Sequence, residues 1–416
     1  MKKKKSKIDG MQPEKADKGP LQYSIWIYPW DVLDAGAETV VGELVDCGFS
    51  ALSVATTYHA GRLLLPHNPR RTVYFLEDGV AYFEPHPNYY ERTALKPMRA
   101  SLASEGDPLR PIIRAAQARN FRVHGWTVFF HNSRLGELHR DMTIENVYGE
   151  RYTYALCPSH PHARAYALAL ATDLADHYEL AALELEAIGF MGHGHLSHHD
   201  KAGICLDLLH DFLLSLCFCC YCKDRIQALE ADPELIKTKL RKELETYFKG
   251  EGKPAVNDPE TIEARLVETL GRTSLNSLLL ARDQTVSSLV SEIRQSVRRE
   301  VQLIMRAASS RFVTGGDAGI EWQSLATVID RFLLIQFFRE IRLAGKELRR
   351  ASEYRDRCGV PLHVGLRAYY PDITNERELR ARLQLLNECK VEGVQFYNYG
   401  LLPPANLEWI RRSIRA

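Results

Sequence analysis

Strand-like and helix-like segments alternate eight times along this 416-residue chain, and that alternation predicts a parallel α/β barrel, the (β/α)8 or TIM architecture. Two further observations give the prediction its shape. A long stretch rich in Pro, Arg and aromatics follows the second strand, and charged, helix-patterned sequence from about 208 to 298 interrupts the rhythm after the fourth. The expected organisation is a disordered basic arm over 1–20 and one barrel domain over 21–416. Within the barrel, 223–298 forms a helical insertion and the crossover helix behind strand four.

Taken in order, Tyr23 to Trp30 (YSIWIYPW) is β-branched and aromatic and predicts strand one, with Asp31 at its end and a helical pattern over Gly36 to Cys47. Ala51 to Ala55 predicts strand two. The excursion after it runs to about Pro108 and contains a predicted hairpin, Val73 to Phe75 with Val80 to Phe83 across Asp78-Gly79. A loop of this length in a compact domain is usually functional when it carries aromatics. Leu109 to Asn120 predicts a helix that tolerates Pro111 in its first turn. Strand three is Arg122 to Phe130, ended by His131-Asn132-Ser133, and a helix covers Pro161 to Tyr178. Strand four is Ala181 to Glu186. The remaining strands are Val301 to Ala307, Phe332 to Phe337, Leu362 to Leu366 and Val391 to Phe396, with helices near 340–356, 375–389 and 404–415.

Composition narrows the partners. Lys and Arg total 54 against 53 for Asp and Glu, so no general field draws nucleic acid or an anionic membrane. No apolar window is long enough to span a bilayer, and the lysine-rich start lacks the apolar core of a secretory signal. Nine cysteines, an odd number without framework spacing, point to a reducing, cytoplasmic setting. The long helical stretch is a surface for self-association into a homo-oligomer.

The densest chemistry lies in Leu183 to Cys222, LELEAIGFMGHGHLSHHDKAGICLDLLHDFLLSLCFCCYC. Cys217, Cys219 and Cys222 stand in C-x-C-x2-C spacing, which lets three thiolates converge on one soft-ligand tetrahedral ion such as zinc. Cys157, in the loop segment Leu156-Cys157-Pro158, is the natural fourth donor, with His160 and His210 in reserve; Cys220 reads as packing. In a strand, Glu184 and Glu186 share a face about 6 to 7 Å apart. In a barrel the later one reaches the catalytic rim and the earlier one lies a layer deeper.

The same rule, polar residues just past each strand line the mouth, gives Asp31, Tyr58, His59, Trp126, His131, Asn132, Glu186, Asp317, Gln336, Arg367, Tyr369, Tyr370, Asp372, Tyr397 and Asn398. His193 and His195, from the His193 to His199 cluster, belong to a mobile substrate loop on this reading. Rings and amides with few excess charges suit a sugar, whose hydroxyls take hydrogen bonds while its C–H faces stack. Asp31 and Asp372 have a second reading as helix N-caps, and His59 and His131 one as structural histidines.

A strand ending in Glu, a C-x-C-x2-C knot behind it and an earlier Cys-Pro loop together resemble the zinc-containing barrel β-galactosidases, glycoside hydrolase family forty-two, of the large retaining barrel clan. The likeness covers about residues 150 to 225. The resemblance implies Glu186 as general acid/base and a structural zinc on Cys157, Cys217, Cys219 and Cys222. Two departures stand out: Leu185 occupies the place of the clan's Asn, and strand seven, HVGLRAYYPD, offers Arg367 and Asp372 where the clan has its nucleophilic Glu. Asp317 and Asp372 are therefore the leading second carboxylates, with Asp31 third. The expectation is a glycosidase acting on carbohydrate. The alternatives are a metal-dependent amidase or deacetylase built on the histidine cluster, and a non-catalytic sugar-binding barrel.

Overall fold

Apolar, β-branched runs become eight parallel strands: β1 Gln22–Ile27, β2 Ala51–Tyr58, β3 Arg122–Val128, β4 Ala182–Glu186, β5 Gln302–Ala307, β6 Arg331–Gln336, β7 Leu362–Arg367 and β8 Gly393–Tyr397. They pair in sequence order, and β1 pairs with both β2 and β8, so the sheet closes. The computed structural model describes residues 21–104, 106–194, 201, 203–250, 255–312 and 318–415. The basic arm over 1–20, His195, His198, His199 and Asp317 lie outside the described residues.

A helix follows each strand: Ala37–Cys47, Leu109–Gln117, Pro161–His177, Arg272–Ser296, Trp322–Leu325, Ile341–Cys358, Glu376–Glu388 and Pro404–Arg415. Their apolar faces bury Leu44, Ile112, Leu170, Leu289, Leu348, Leu386 and Ile410 against the outward faces of the strands in one continuous core. The interruption after β4 is helical, with Leu208–Leu214, Cys220–Gln227, Pro233–Phe248 and Pro259–Leu270. Two of these begin Asp-Pro: Asp232 accepts from the Glu234 and Leu235 amides, and Asp258 from the Thr261 amide, while proline needs no N–H partner in a first turn. These helices bury Phe212, Leu240, Leu244, Ile262, Leu266 and Leu275 in an apolar cluster of their own. No helix among the described residues is long and apolar enough to cross a membrane.

Two expectations about connections are corrected. Strand one stops at Ile27, because Pro29 opens a short helix, Pro29–Ala35, that takes in Trp30 and Asp31. Val73–Leu76 pairs backward with Gly61–Leu64 and not forward across Asp78-Gly79, while Val80–Ala81 extends the edge of β2. The excursion is fastened to the helix Pro161–His177 at several points. Thr93 Oγ1 donates to the His162 carbonyl (2.8 Å) and the Tyr89 hydroxyl to Asp176 (2.8 Å). The buried Asp173 lies 2.8 Å from His86 Nδ1 and 3.0 Å from His177 Nδ1.

Candidate active site at the barrel mouth

Glu184 and Glu186 point into the barrel from consecutive layers of β4 and meet opposite surroundings. Glu184 is buried and saturated: it accepts from Trp26 Nε1 (2.7 Å), from Gln395 Nε2 (2.7 Å) and from Ser53 Oγ. A buried carboxylate with three donors is a satisfied structural group. Gly365 makes room for it indirectly, since a Cβ there would meet the Trp26 ring at 2.7 Å. Below it His363 is neutral, because burial first and the Arg331 charge second push its pKa down to about 3. Glu186, one layer up, keeps 28% of its side-chain surface, accepts from Trp126 Nε1 and lies 3.8 Å from the Arg306 guanidinium.

Glu186 stands where two cavities join. The narrower, about 110 Å³, is a slot lined by Trp26, Tyr58, Trp126, Phe337 and Tyr397. Its wall is held by a triangle of phenols: the Tyr28 hydroxyl lies 3.0 Å from those of Tyr58 and Tyr397, and these two are 3.5 Å apart. Burial first, then the neighbouring phenol of Tyr397 and the charge of Glu186, push the Tyr58 pKa well up. These hydroxyls therefore stay protonated and act only as neutral donors and acceptors. Trp30 stacks on Tyr28 at 4.5 Å and fixes the triangle from behind.

The wider cavity, about 610 Å³, opens beside β5 and β6 and is lined by His59, His131, Glu186, Arg306, Trp322 and Glu347 among others. The His59 and His131 rings stack at 4.0 Å. Glu347, on the helix after β6, accepts from Ser309 Oγ (3.1 Å) and Gln336 Nε2 (3.0 Å), and burial raises its pKa above the ordinary carboxyl value despite those bonds. Sequence reasoning missed Glu347 and Arg306. Glu347 lies beyond the strand end, where no positional rule reaches; Arg306 was visible as a lone cation inside the apolar strand QLIMRA.

The structure brings Tyr58, His59, Trp126, His131, Glu186 and Tyr397 to these cavities and places other candidates elsewhere. Asp31 is buried in the first helical turn at its third position, and its carboxylate reaches back to accept from the amide of the N-cap Tyr28 (3.2 Å), so it serves the helix start without being the N-cap itself. Asn132 caps the helix Ser133–Leu138 by accepting from the Leu135 amide (2.9 Å), and Asn398 caps a turn through the Gly400 amide (3.1 Å). Asp372 is buried in a two-pronged pair with Arg367 (2.8 and 3.1 Å), and Arg367 lies over the Phe337 ring at 4.9 Å. Arg367, Tyr369 and Asp372 line neither cavity. Gln336 is buried against Glu347 and the Ala344 carbonyl. His193 sits at the cavity edge, 3.2 Å from Asp211, while Gly192 and Gly194 on either side of it line the wide cavity.

Cys157, Cys217, Cys219 and Cys222 converge in a buried cluster. Cys157 Sγ lies 3.8, 3.7 and 3.5 Å from the other three sulfurs. Four sulfurs each about 2.3 Å from a central ion in a tetrahedron stand about 3.8 Å apart, so the donor set fits a metal ion, and the spacing is far too wide for disulfides. His160 and His210 are not part of it: His160 Nδ1 accepts from the His162 amide, and His210 binds Asp207 at 2.6 Å. Cys220, expected to pack, is exposed. The one other metal-like group among the described residues is His86, Asp173 and His177. Its imidazoles are nearly parallel (12°) at 3.5 Å, so no point lies in both ring planes, as a shared ion requires; the trio is a hydrogen-bonded clamp.

An α/β barrel with an aromatic mouth, a rim carboxylate on its fourth strand and a four-cysteine cluster is the class these features define. No model of a known family matches the chain, and no curated protein matches it in sequence. Among solved structures, the fold is similar to α-L-fucosidase isoenzyme 2 from Paenibacillus thiaminolyticus, with a TM-score of 0.55 and 12% identity over 95% of this chain and 49% of that one. It is similar also to the β-galactosidase from the psychrophilic Marinomonas ef1, with a TM-score of 0.55 and 9% identity over 95% of this chain and 59% of that one. The chain thus spans about half to three-fifths of those proteins, and identity this low speaks for the barrel alone.

Proposed function

We propose that the protein is a carbohydrate-acting hydrolase of the glycosidase type, with Glu186 as the nucleophile or base of the mouth in place of the acid/base part that the resemblance implied. The observation that carries this reading is the placement of Glu186, half-exposed at the end of β4, where a ring-lined slot opens into a wide polar cavity. Rings on one side suit the C–H faces of a sugar, and the carboxyl group sits within reach of whatever the rings hold. The names of the two similar structures and the resemblance over residues 150 to 225 support the same reading.

Glycoside hydrolysis needs one carboxyl group that carries a proton to the leaving oxygen and one that serves as nucleophile or base. Glu347 fits as the second member in place of the sequence candidates, since it lines the same cavity as Glu186. Their surroundings divide the work. Burial favours the protonated form of Glu347, which makes it the donor; Glu186, facing a guanidinium and an indole N–H, takes the base's part. The four cysteines hold a structural zinc on this reading, because four thiolates leave no open coordination position for water. Such an ion would join Cys157, at the end of the β3 connection, to the chain after β4.

A panel of aryl glycosides, including fucosides, galactosides and mannosides, tests the proposal against Glu186→Gln and Glu347→Gln. Each variant should lose about 10³-fold in kcat with an unchanged thermal midpoint. Turnover by Glu186→Gln within tenfold of the parent would sink the assignment. Saccharide binding without turnover in parent and variants alike would replace it with the non-catalytic barrel.

A further inference from the structure

Arg306 carries more donors than its contact with Glu186 uses. It projects inward from β5, a layer above Ile304, and 46% of its side chain is exposed inside the barrel mouth, where it lines both cavities. An arginine at an inward barrel position costs desolvation unless its donors are engaged. Its ion-pair partner among the described residues is Glu186, at 3.8 Å. A docked guanidinium–carboxylate pair closes to about 2.7–2.9 Å in a two-pronged fork, as Arg367 does with Asp372 in this same barrel. Arg306 is therefore within Coulomb reach of Glu186 without being docked on it, and a guanidinium with five N–H donors can serve Glu186 and a second anion together.

The other acids of the wide cavity do not compete for it. Glu321 accepts from the Ser324 amide and hydroxyl as a helix cap (2.7 and 2.9 Å). Glu347 is taken by Ser309 and Gln336 and held towards neutrality by burial. The neighbouring Arg311 is committed to Asp283 at 2.6 Å. Among the described residues, Arg306 thus presents an undocked charge to the wide cavity that His59 and His131 also line.

We infer that the mouth recognises an acidic sugar, with the planar carboxylate of a uronosyl residue taken by the Arg306 fork beside Glu186. This inference rests on the carbohydrate reading of the site and deepens it to a substrate class. A carboxylate matches the fork in shape as well as charge, and the bond is one that lysine's point charge reproduces only in part.

Equilibrium binding of monosaccharides, which have no glycosidic bond to cut, tests this independently of catalysis. Galacturonate and glucuronate are titrated against galactose and glucose by calorimetry, with the intact chain and with Arg306→Gln and Arg306→Lys. The parent should bind the uronates about tenfold more tightly than the neutral sugars, with a preference that shrinks as salt rises. Arg306→Gln should remove most of that preference, and Arg306→Lys should keep part of it. A parent that shows no preference, or binds neither class at millimolar concentration, overturns the inference. So does an Arg306→Gln variant that loses affinity for both classes equally, since that marks the residue as positioning Glu186 only. The hydrolase reading would fail separately, in the turnover of aryl glycosides by Glu186→Gln. A sulfated galactose in the same titration shows whether the fork requires a carboxylate or accepts any sugar-borne anion.

Discussion

The two walls of the mouth are built on different principles. The wall from β1, β2, β3 and β8 is aromatic and closed: Tyr28, Tyr58 and Tyr397 bond one another, Trp30 backs them, and Trp126 holds Glu186. The wall from β5, β6 and the helix Ile341–Cys358 is polar and open, with Arg306 half-exposed and Glu347 reached through Ser309 and Gln336. One wall is finished before a ligand arrives; the other offers charges to it. On the proposed function, pre-formed rings would fix where a sugar ring lies at little ordering cost, and the open side would supply the chemistry.

If that division holds, perturbing the charged side or the one indole N–H that bonds Glu186 should cost turnover, and perturbing the rest of the ringed side should cost binding or stability. The largest effect is expected from Glu347→Gln, whose parent rate should fall as pH rises through the raised pKa of Glu347; the variant should lose about 10³-fold and with it that alkaline limb. A surviving alkaline limb in the variant would return the donor's role to another group. If the four cysteines hold an ion as proposed, Cys217→Ser should release it, counted by elemental analysis, and lower stability by about 3 kcal/mol or more. Loss of turnover at an unchanged thermal midpoint would contradict a purely structural ion.

On the aromatic side, Asp31 gives a pH test. Burial, countered only in part by the Tyr28 amide, raises its pKa to about 7 in the folded chain against an ordinary 3.8. The unfolded chain releases this proton first, so the stability linked to it is complete below about pH 4 and is lost as pH climbs towards 7. Relative to Asp31→Asn, the parent should therefore lose about 2–4 kcal/mol across that window, measured by urea unfolding. A constant difference between the two proteins would mean that Asp31 is ionised throughout. The smallest effects belong to Trp126→Phe and Tyr58→Phe. The first removes the N–H on Glu186 and should cost about tenfold in kcat; the second breaks the phenol triangle and should cost about 1 kcal/mol in stability with kcat nearly kept. If Tyr58→Phe moved kcat more than Trp126→Phe, the phenol triangle and not the Trp126 N–H would be what steadies Glu186.

The barrel was legible because strands buried on both faces read as unbroken apolar runs, which period and length locate within a residue or two, except that strand one ends three residues before the expected Trp30 and strand two three residues past the expected Ala55. Three of the four converging cysteines were legible because C-x-C-x2-C spacing is local, and Cys157 through the Cys-Pro loop that carries it. The mouth was half legible. Residues past a strand end are also residues before a helix, so the rule that found Tyr58, His59, Glu186 and Tyr397 also collected Asp31 and the caps Asn132 and Asn398. The partners that separate the two cases, such as Arg367 five residues before Asp372 or the Tyr28 amide three before Asp31, are near in sequence, but whether the backbone turns them together is geometry that no window of sequence contains. Glu347 escaped for the converse reason: it reaches the cavity from within a helix, where position along the chain carries no barrel layer.

The clamp of His86 and His177 on Asp173, with Thr93 and Tyr89 beside it, changes what kind of segment the excursion after β2 is. Fifty residues sewn to a barrel helix at so many places cannot open alone; they come undone when that helix does. A native protease should thus spare them and cut at other surface turns, and grafting a new loop there would disturb the whole scaffold as much as a core substitution would.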